Sequence, residues 1–480
     1  MEYEAIIGVE VHAQILTKSK MFCRCSAEVA QATPNTHTCP ICLGMPGTLP
    51  VINQAAVEAT VLTGMALNCE IPPFSKFDRK NYHYPDLPKG YQVSQYDYPL
   101  TKNGYLDVQV NGETRRLRIR RVHLEEDTAR LVHDGESSLI DFNRSSLPLM
   151  EIVSEADMRS AEDTYAYLVK LRQILRYLGV STGNMEEGAM RCEANISVRP
   201  VGMEELGTKV EVKNLNSFRS VRLAIAYEIE RQVRVLEEGG EIQQVTMGWD
   251  EERLCTVFQR SKELAEDYRY FPEPDLPPLE LDDALRESIA ERLPELPDAK
   301  RERCVMVYGI RSEDARLLCE DRATAEFFER AVEAAPESVT PQIVANWMVG
   351  EVFRLLSDSG QAIHQIKMQP EDLAALLKLL DEGTINATVA KEVLEEMFTS
   401  GEAPDAIVER RGLRQISDQA ALAEAVRTAL DDNPGPVAQY LGGKEQVLGF
   451  LIGQVMRATR GQANVQIVTE LLRAELDKRR

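Results

Sequence analysis

Apolar and polar positions alternate with a period of two through much of the chain up to about residue 295. Val9, Val11, Ala13 and Ile15 alternate with Glu10, His12 and Gln14, the pattern of a half-buried strand. Cys192, Ala194, Ile196 and Val198 alternate with Arg191, Glu193, Asn195 and Ser197, and Val210 and Val212 with Lys209, Glu211 and Lys213. By the same parity Glu125 shares a strand face with Leu117, Ile119 and His123. Two stretches read as helices instead, 162–178 closed by Gly179 and 221–238 closed by Gly239 and Gly240. Strands and helices do not alternate regularly, so an α+β domain with a mixed, largely antiparallel sheet is expected rather than a doubly wound one. The proline- and acid-rich segment 271–283 reads as a linker or a wrapped loop. Beyond it the pattern is helical: 325–334, 341–357, 370–382, 387–398, 418–431 with Ser417 as N-cap, and 444–457. The expected division is a sheet domain over 1–294, a helical domain over 295–405 and a small all-helical tail over 406–480.

Composition narrows the class. The chain has 480 residues, 44% hydrophobic and 28% charged, which suits a soluble globular protein of several domains. No run approaches the roughly 20 apolar residues of a membrane span. Glu2, Glu4 and Glu10 interrupt the first apolar run, so no signal peptide is expected and the cytoplasm is the expected compartment. With 55 basic against 77 acidic residues the net charge is −22, which argues against indiscriminate nucleic-acid binding.

Three groups of residues could carry chemistry. Cys23-x-Cys25 and Cys39-x-x-Cys42 have the spacing of two knuckles on one tetrahedral zinc, and four thiolates would close the site and make it structural. His37, in the same loop, could substitute as a ligand. The order of His123-Leu124-Glu125 relative to Cys39–Cys42 is the reverse of a zinc-deaminase signature. Glu10, His12, Glu125 and Glu151 sit in apolar surroundings, where a carboxylate needs a cation. Two readings stay open: a divalent ion such as Mg²⁺, or pairing with Arg121, Arg144 and Arg191. The loop 77–92 gathers Arg79, Lys80, Tyr82, His83 and Lys89 and reads as a binding loop. The arginine run 115–121 reads as a solvated strand face. Gly442-Gly443-Lys444 lacks the rest of a phosphate loop.

Several long motifs then resemble one family. FDRKNYHYPDLPKGYQVSQYD (77–97), VHLEEDTARLVHDG (122–135), PLMEIVSEADMRS (148–160), GNMEEGAMRCEANISVRP (183–200), VKNLNSFRSV (212–221) and DYRYFPEPDLP (267–277) resemble the B subunit of the tRNA-dependent amidotransferases, the GatB/GatE family. The segment 443–464 resembles its tail module. The resemblance implies a glutamine-synthetase-like sheet domain that uses ATP to phosphorylate the side-chain carboxylate of Glu-tRNA(Gln) or Asp-tRNA(Asn). Ammonia from a partner amidase A subunit then displaces the phosphate, and a small C subunit completes the heterotrimer. The non-discriminating aminoacyl-tRNA synthetase is a further candidate partner. By motif, Glu10, His12, Glu125 and Glu151 would hold Mg²⁺. Lys80, Tyr82 and Lys89 would line the activation site and tunnel mouth. Arg191, Glu193 and Lys213 would meet ATP, and Cys23, Cys25, Cys39 and Cys42 would hold Zn²⁺. Lys444, Arg457 and Arg460 would touch tRNA. The sequence departs from the family pattern at Glu193, where Asp is usual, and at Thr128 and His83. Two other readings are a non-catalytic, zinc-stabilised tRNA-binding adaptor and an autonomous ligase using free ammonia.

Overall fold

The alternating stretches become strands of one eight-stranded sheet: β1 (Tyr3–Gln14), β2 (Thr101–Val110), β3 (Glu113–Glu126), β4 (Pro148–Ser154), β5 (Met190–Pro200), β6 (Val210–Leu215), β7 (Val245–Asp250) and β8 (Cys255–Ser261). Their order is β8-β7-β6-β5-β1-β4-β3-β2, antiparallel at every pair except β6 with β7. This is the mixed, largely antiparallel α+β arrangement expected. The computed structural model describes residues 2–135, 137–261, 268–415, 419–459, 463 and 465–479.

One face of the sheet is apolar because Val9, Val11 and Ala13 of β1, Met150 and Ile152 of β4 and Ala194 and Ile196 of β5 all point to it. Three helices contribute to the same core: α1 (Gln54–Ala66), α2 (Ala161–Tyr177) and α3 (Phe218–Glu237). Each is started by a side chain that accepts from the first turn: Asn53 from Ala56, Ser160 from Asp163 and Ser217 from Ser220. Gly179 follows α2 at φ 67°, a left-handed stop that glycine adopts without penalty. The Ser217 cap starts α3 three residues before the periodicity suggested.

In the strand that carries the site, β3, the simple parity breaks. In β3, Ile119 faces Ser154 of β4 but Arg121 faces Val153, so Arg120 is an extra residue, a β-bulge. Before the bulge Leu117 and Ile119 point into the core; after it Val122 and Leu124 do. Arg121, His123 and Glu125 are thereby turned to the opposite, polar face. The shared face expected for Glu125 with Leu117 and Ile119 is therefore wrong, since parity cannot be counted across an inserted residue.

The segment 271–283 is a wrap rather than a linker. Phe271–Pro272 pairs with Asp78–Asn81, Leu279–Glu280 pairs with Phe74–Ser75, and Leu276 and Leu281 are buried in the sheet's core. Its proline-rich stretches add only two-residue edge strands, as the missing N–H groups require.

The chain divides into two compact units, Met1–Pro297 and Asp298–Arg480. The second is helical and holds two cores. One runs from Cys304 to Val408, and the other is built on Leu422, Val426, Leu451, Val455, Val468 and Leu472. The stretch 401–412 contains the helix Pro404–Arg411, with Ile407 and Val408 buried, so the division expected after residue 405 cuts that helix. The helix expected over 341–357 has a π-turn at Met348–Val352. Ser417 lies outside the described residues. Among the described residues no helix is long and apolar enough to cross a membrane.

Candidate active site and metal centres

Register alone assembles the polar face. His12 of β1 pairs with Glu151 of β4, which pairs in turn with His123 of β3. Glu125 lies two residues beyond His123 on the same face. His12 Nε2 is 3.4 Å from Glu125 Oε1 and 3.6 Å from Glu151 Oε2, and His123 Nε2 is 3.3 Å from Glu151 Oε2. Ser94 Oγ donates to Glu125 Oε2 at 3.2 Å. Ligand atoms of His12, Glu125 and Glu151 lie within 4.8 Å of one another, so one cation could touch all three. Two carboxylates and one imidazole suit a hard divalent ion such as Mg²⁺ or Mn²⁺. Three donors leave an octahedral ion with open positions, the arrangement of a working rather than a structural site.

Electrostatics agree with a site built for a cation. Burial opposes the His12 charge, yet hydrogen bonding to Glu151 and the charges of Glu151, Glu125 and Glu193 lift its pKa to about 9. Burial would raise Glu151, but His123 and His12 hold its carboxyl well below the ordinary range. Glu10 is raised by burial and by the neighbouring Glu151 and Glu193 carboxylates. It accepts from Asn195 Nδ2 at 3.0 Å and is outside the converging trio.

Lys80 faces the cluster from the strand Asp78–Asn81. Its Nζ is 4.8 Å from the Tyr268 ring centroid and 5.8 Å from that of Tyr82. Burial works against its charge, but Glu125, Tyr270, Glu151 and Tyr268 together hold its pKa above the usual value. Lys89 is directed elsewhere. Its Nζ meets Glu126 at 2.5 and 2.6 Å, and Glu126, next to Glu125, lies on the other side of the strand. Arg191 and Glu193 share the polar face but are already partnered: Arg191 with Asp127 at 2.8 Å, Glu193 with Lys213 at 2.8 Å. Arg144 is also near Asp127, at 3.7 Å. The arginines proposed as partners of the buried glutamates therefore serve Asp127, and Arg121 has no carboxylate within ion-pair distance among the described residues. In the rest of the arginine run, Arg116, Arg118 and Arg120 pair with Asp107, Asp157 and Glu155 on a solvated, charge-balanced face as expected, whereas Arg115, with the parity of Leu117, pairs with the buried Asp163.

The cysteines converge as their spacing suggested. The sulfurs of Cys23, Cys25, Cys39 and Cys42 lie within 4.8 Å of one another, and Cys42 Sγ is 3.9 Å from Cys39 Sγ. A tetrahedral ion with bonds of ~2.3 Å needs sulfurs ~3.8 Å apart, so the quartet fits zinc. Lys20, buried completely, points Nζ at Cys42 Sγ from 3.7 Å, and the Cys39 N–H donates to the same sulfur at 3.1 Å. A hydrogen bond from Cys23, the Cys39 amide and the Lys20 charge hold the Cys42 thiol below its usual pKa. His37 has its amide tied to Asn143 and is not in the quartet. Gly44 ends the second knuckle at φ 67°, where a Cβ would strike Lys89 Cγ at 2.3 Å. Ser145 Oγ donates to the Cys42 carbonyl, and Ser146 Oγ to Glu126. The knuckle is thus braced against the loop that leads into β4 and against Lys89, just before the strand Tyr91–Ser94.

Sequence reasoning gave Lys20, His123 and the aromatic wall of Tyr268 and Tyr270 no part in a site. His123 stood two residues before Glu125, a usable signal, but its place beside Glu151 depends on cross-strand register. In the tail, Lys444 and Arg457 are exposed, and Arg460 lies outside the described residues.

Comparison with known proteins agrees with this geometry. Residues 5–287 match the GatB/GatE catalytic domain and residues 326–476 the GatB domain. A protein of Caldanaerobacter subterraneus subsp. tengcongensis is 52% identical over 479 residues, covering all of both chains. One of Caldicellulosiruptor saccharolyticus is 52% identical over 483 residues with the same coverage, and one of Dehalococcoides mccartyi is 53% identical over 489 residues, covering 99% of each chain. All three are named as the B subunit of an aspartyl/glutamyl-tRNA(Asn/Gln) amidotransferase. With a catalytic-domain match spanning the sheet that carries His12, Glu125 and Glu151, and relatives similar end to end, the chain belongs to the GatB/GatE family.

Proposed function

We propose that the chain is the activating subunit of a glutamine-dependent, carbon–nitrogen ligating tRNA amidotransferase, acting on Glu-tRNA(Gln), Asp-tRNA(Asn) or both. The observation that carries this reading is the convergence of His12, Glu125 and Glu151 on the polar sheet face, with Lys80 held beside them. In the reaction an oxygen of the substrate carboxylate bonds to the γ-phosphorus of ATP and ADP leaves with the electron pair of the broken P–O bond. Ammonia then adds to the activated carbonyl carbon and phosphate departs. A divalent ion, when bound, supplies charge neutralisation for phosphoryl transfer.

The residues of this chain bind and orient. His12, Glu125 and Glu151 would hold the ion, with Ser94 fixing the Glu125 carboxylate. Lys80, fully charged and walled by Tyr82 and Tyr268, is suited to neutralise a carboxylate or phosphate brought to the cluster. Arg191, Glu193 and Lys213 form a charged strip along the same face, against which a nucleotide could lie. The four cysteines would hold a structural zinc. Ammonia would come from a partner amidase, a small third protein would complete the assembly, and Lys444 and Arg457 would meet tRNA. The cytoplasm suits such a translation enzyme.

The test uses Glu125→Gln and Glu151→Gln variants purified with their partner proteins. Loss of tRNA-dependent ADP formation is expected; normal turnover in both would leave only the adaptor reading. Turnover of free glutamate without tRNA would favour an autonomous ligase instead.

A further inference from the structure

The bulge at Arg120 has left one arginine unlike its neighbours. Arg116, Arg118 and Arg120 each grip a carboxylate with the same two-pronged edge, Nε and Nη2. Arg121 uses its other nitrogen: Nη1 donates to the Tyr96 carbonyl at 3.1 Å. Its guanidinium carbon lies 6.0 Å from the Tyr96 ring centroid. The Nε/Nη2 edge has no acceptor among the described residues, and Nε is shut off from solvent without a partner. A buried guanidinium donor is seldom left unsatisfied, because desolvating it without a bond is unfavourable. The bulge places Arg121 on the face that carries His123 and Glu125, and Arg121, Lys80, Glu125 and Glu151 all act on the Tyr270 hydroxyl.

Resting on the proposed ATP-dependent activation, we infer that Arg121 is a phosphate-binding residue whose free Nε/Nη2 edge holds the γ-phosphoryl group of ATP during its transfer. A guanidinium edge matches two oxygens of a phosphoryl group, and cations beyond the metal are needed where charge spreads over its equatorial oxygens. The other oxyanion in the reaction, the substrate carboxylate, is a poorer occupant. A two-pronged grip would engage both of its oxygens, one of which must stay free to attack phosphorus. The bond to Tyr96 fixes the guanidinium plane before the ligand arrives, and the groups that cover Nε must move aside to admit a phosphoryl oxygen.

The experiment uses the assembled complex with Mg²⁺, titrated calorimetrically with AMP-PNP and with ADP, and separately with Glu-tRNA without nucleotide. In Arg121→Met the affinity for AMP-PNP should fall at least tenfold, while ADP and Glu-tRNA affinities stay within about twofold. Arg121→Lys, which keeps the charge but loses the fork, should fall between, and it decides the matter if the methionine variant does not fold. Unchanged AMP-PNP affinity overturns the inference, as does an equal loss for AMP-PNP and ADP. A loss confined to Glu-tRNA also overturns it and gives the edge to the carboxylate. Failure of the wild-type complex to bind AMP-PNP at all would instead sink the ATP-dependent reading on which the inference rests.

Discussion

The four-cysteine knuckle and the His12–Glu125–Glu151 cluster belong to the same unit and are built in opposite ways. The knuckle takes four soft donors from one short stretch, 23–42, whose sulfurs converge closely enough to close around a tetrahedral ion. The cluster takes two carboxylates and an imidazole from three strands far apart in sequence, and it remains open. Closed coordination spends all its donors on holding the fold; open coordination leaves room for substrate oxygens. The two are nonetheless mechanically joined. Ser145 bonds to Cys42, Ser146 to Glu126, and Gly44 packs on Lys89, which itself holds Glu126. The cysteine loop therefore steadies the strand that carries Glu125 and Glu126.

The sharpest way to break this comparison is Glu151→Gln. If the cluster is functional, tRNA-dependent ADP release should fall by about 10²–10³-fold, several kcal/mol of transition-state stabilisation, with the melting temperature little changed. A large drop in melting with normal turnover would make the cluster structural like the knuckle. Next comes Leu124→Ala, which tests the bulge that aims the cluster. Leu124 is fully buried, so the change should destabilise by about 3 kcal/mol in denaturant titrations. Had the parity of β3 run unbroken, Leu124 would share the solvent face of Arg118 and the cost would be near zero.

Cys42→Ser tests the knuckle from its own side. Zinc content should fall below one equivalent per chain, and melting should drop by several degrees, at about 2–4 °C per kcal/mol lost. Intact melting after zinc loss would mean the loop holds itself. Smallest is the arginine ladder: Arg118→Ala, which removes a mostly solvent-exposed guanidinium from Asp157, should cost no more than about 1 kcal/mol. The pH dependence follows in sign. Arg118, Arg120 and Arg116 hold the carboxyls of Asp157, Glu155 and Asp107 below their ordinary range. Stability from these pairs is complete above the unfolded carboxylate value near pH ~4 and is lost as pH falls through the lower folded values. The difference in melting temperature between the wild type and Arg118→Ala should be constant from neutrality to about pH 5 and shrink only below that. A decline starting near neutrality would assign the pH dependence to other groups.

Legibility followed locality. The cysteine quartet could be read from spacing because its geometry is set by one loop, and α2 could be read from its period and Gly179. The parity of β1 and β5 placed His12 and Arg191 on the polar face correctly, since no residue is inserted opposite β4 or β1. The same count failed on β3, where Arg120 shifts every later side chain to the other face. Lys89 was credible from its decorated loop, but its direction is decided by Glu126.

By itself the sequence determined the element types, the mixed sheet class, the knuckle and the family, because propensity, period and motif spacing are local properties of the chain. Tertiary structure alone decided which charges neutralise one another. It paired Arg191 with Asp127 and Glu193 with Lys213, brought His123 against Glu151, and left Arg121 without a carboxylate among the described residues. The reason is physical: a buried charge is settled by the nearest opposite charge, and register and the β3 bulge set those distances among residues up to 139 positions apart, as with His12 and Glu151.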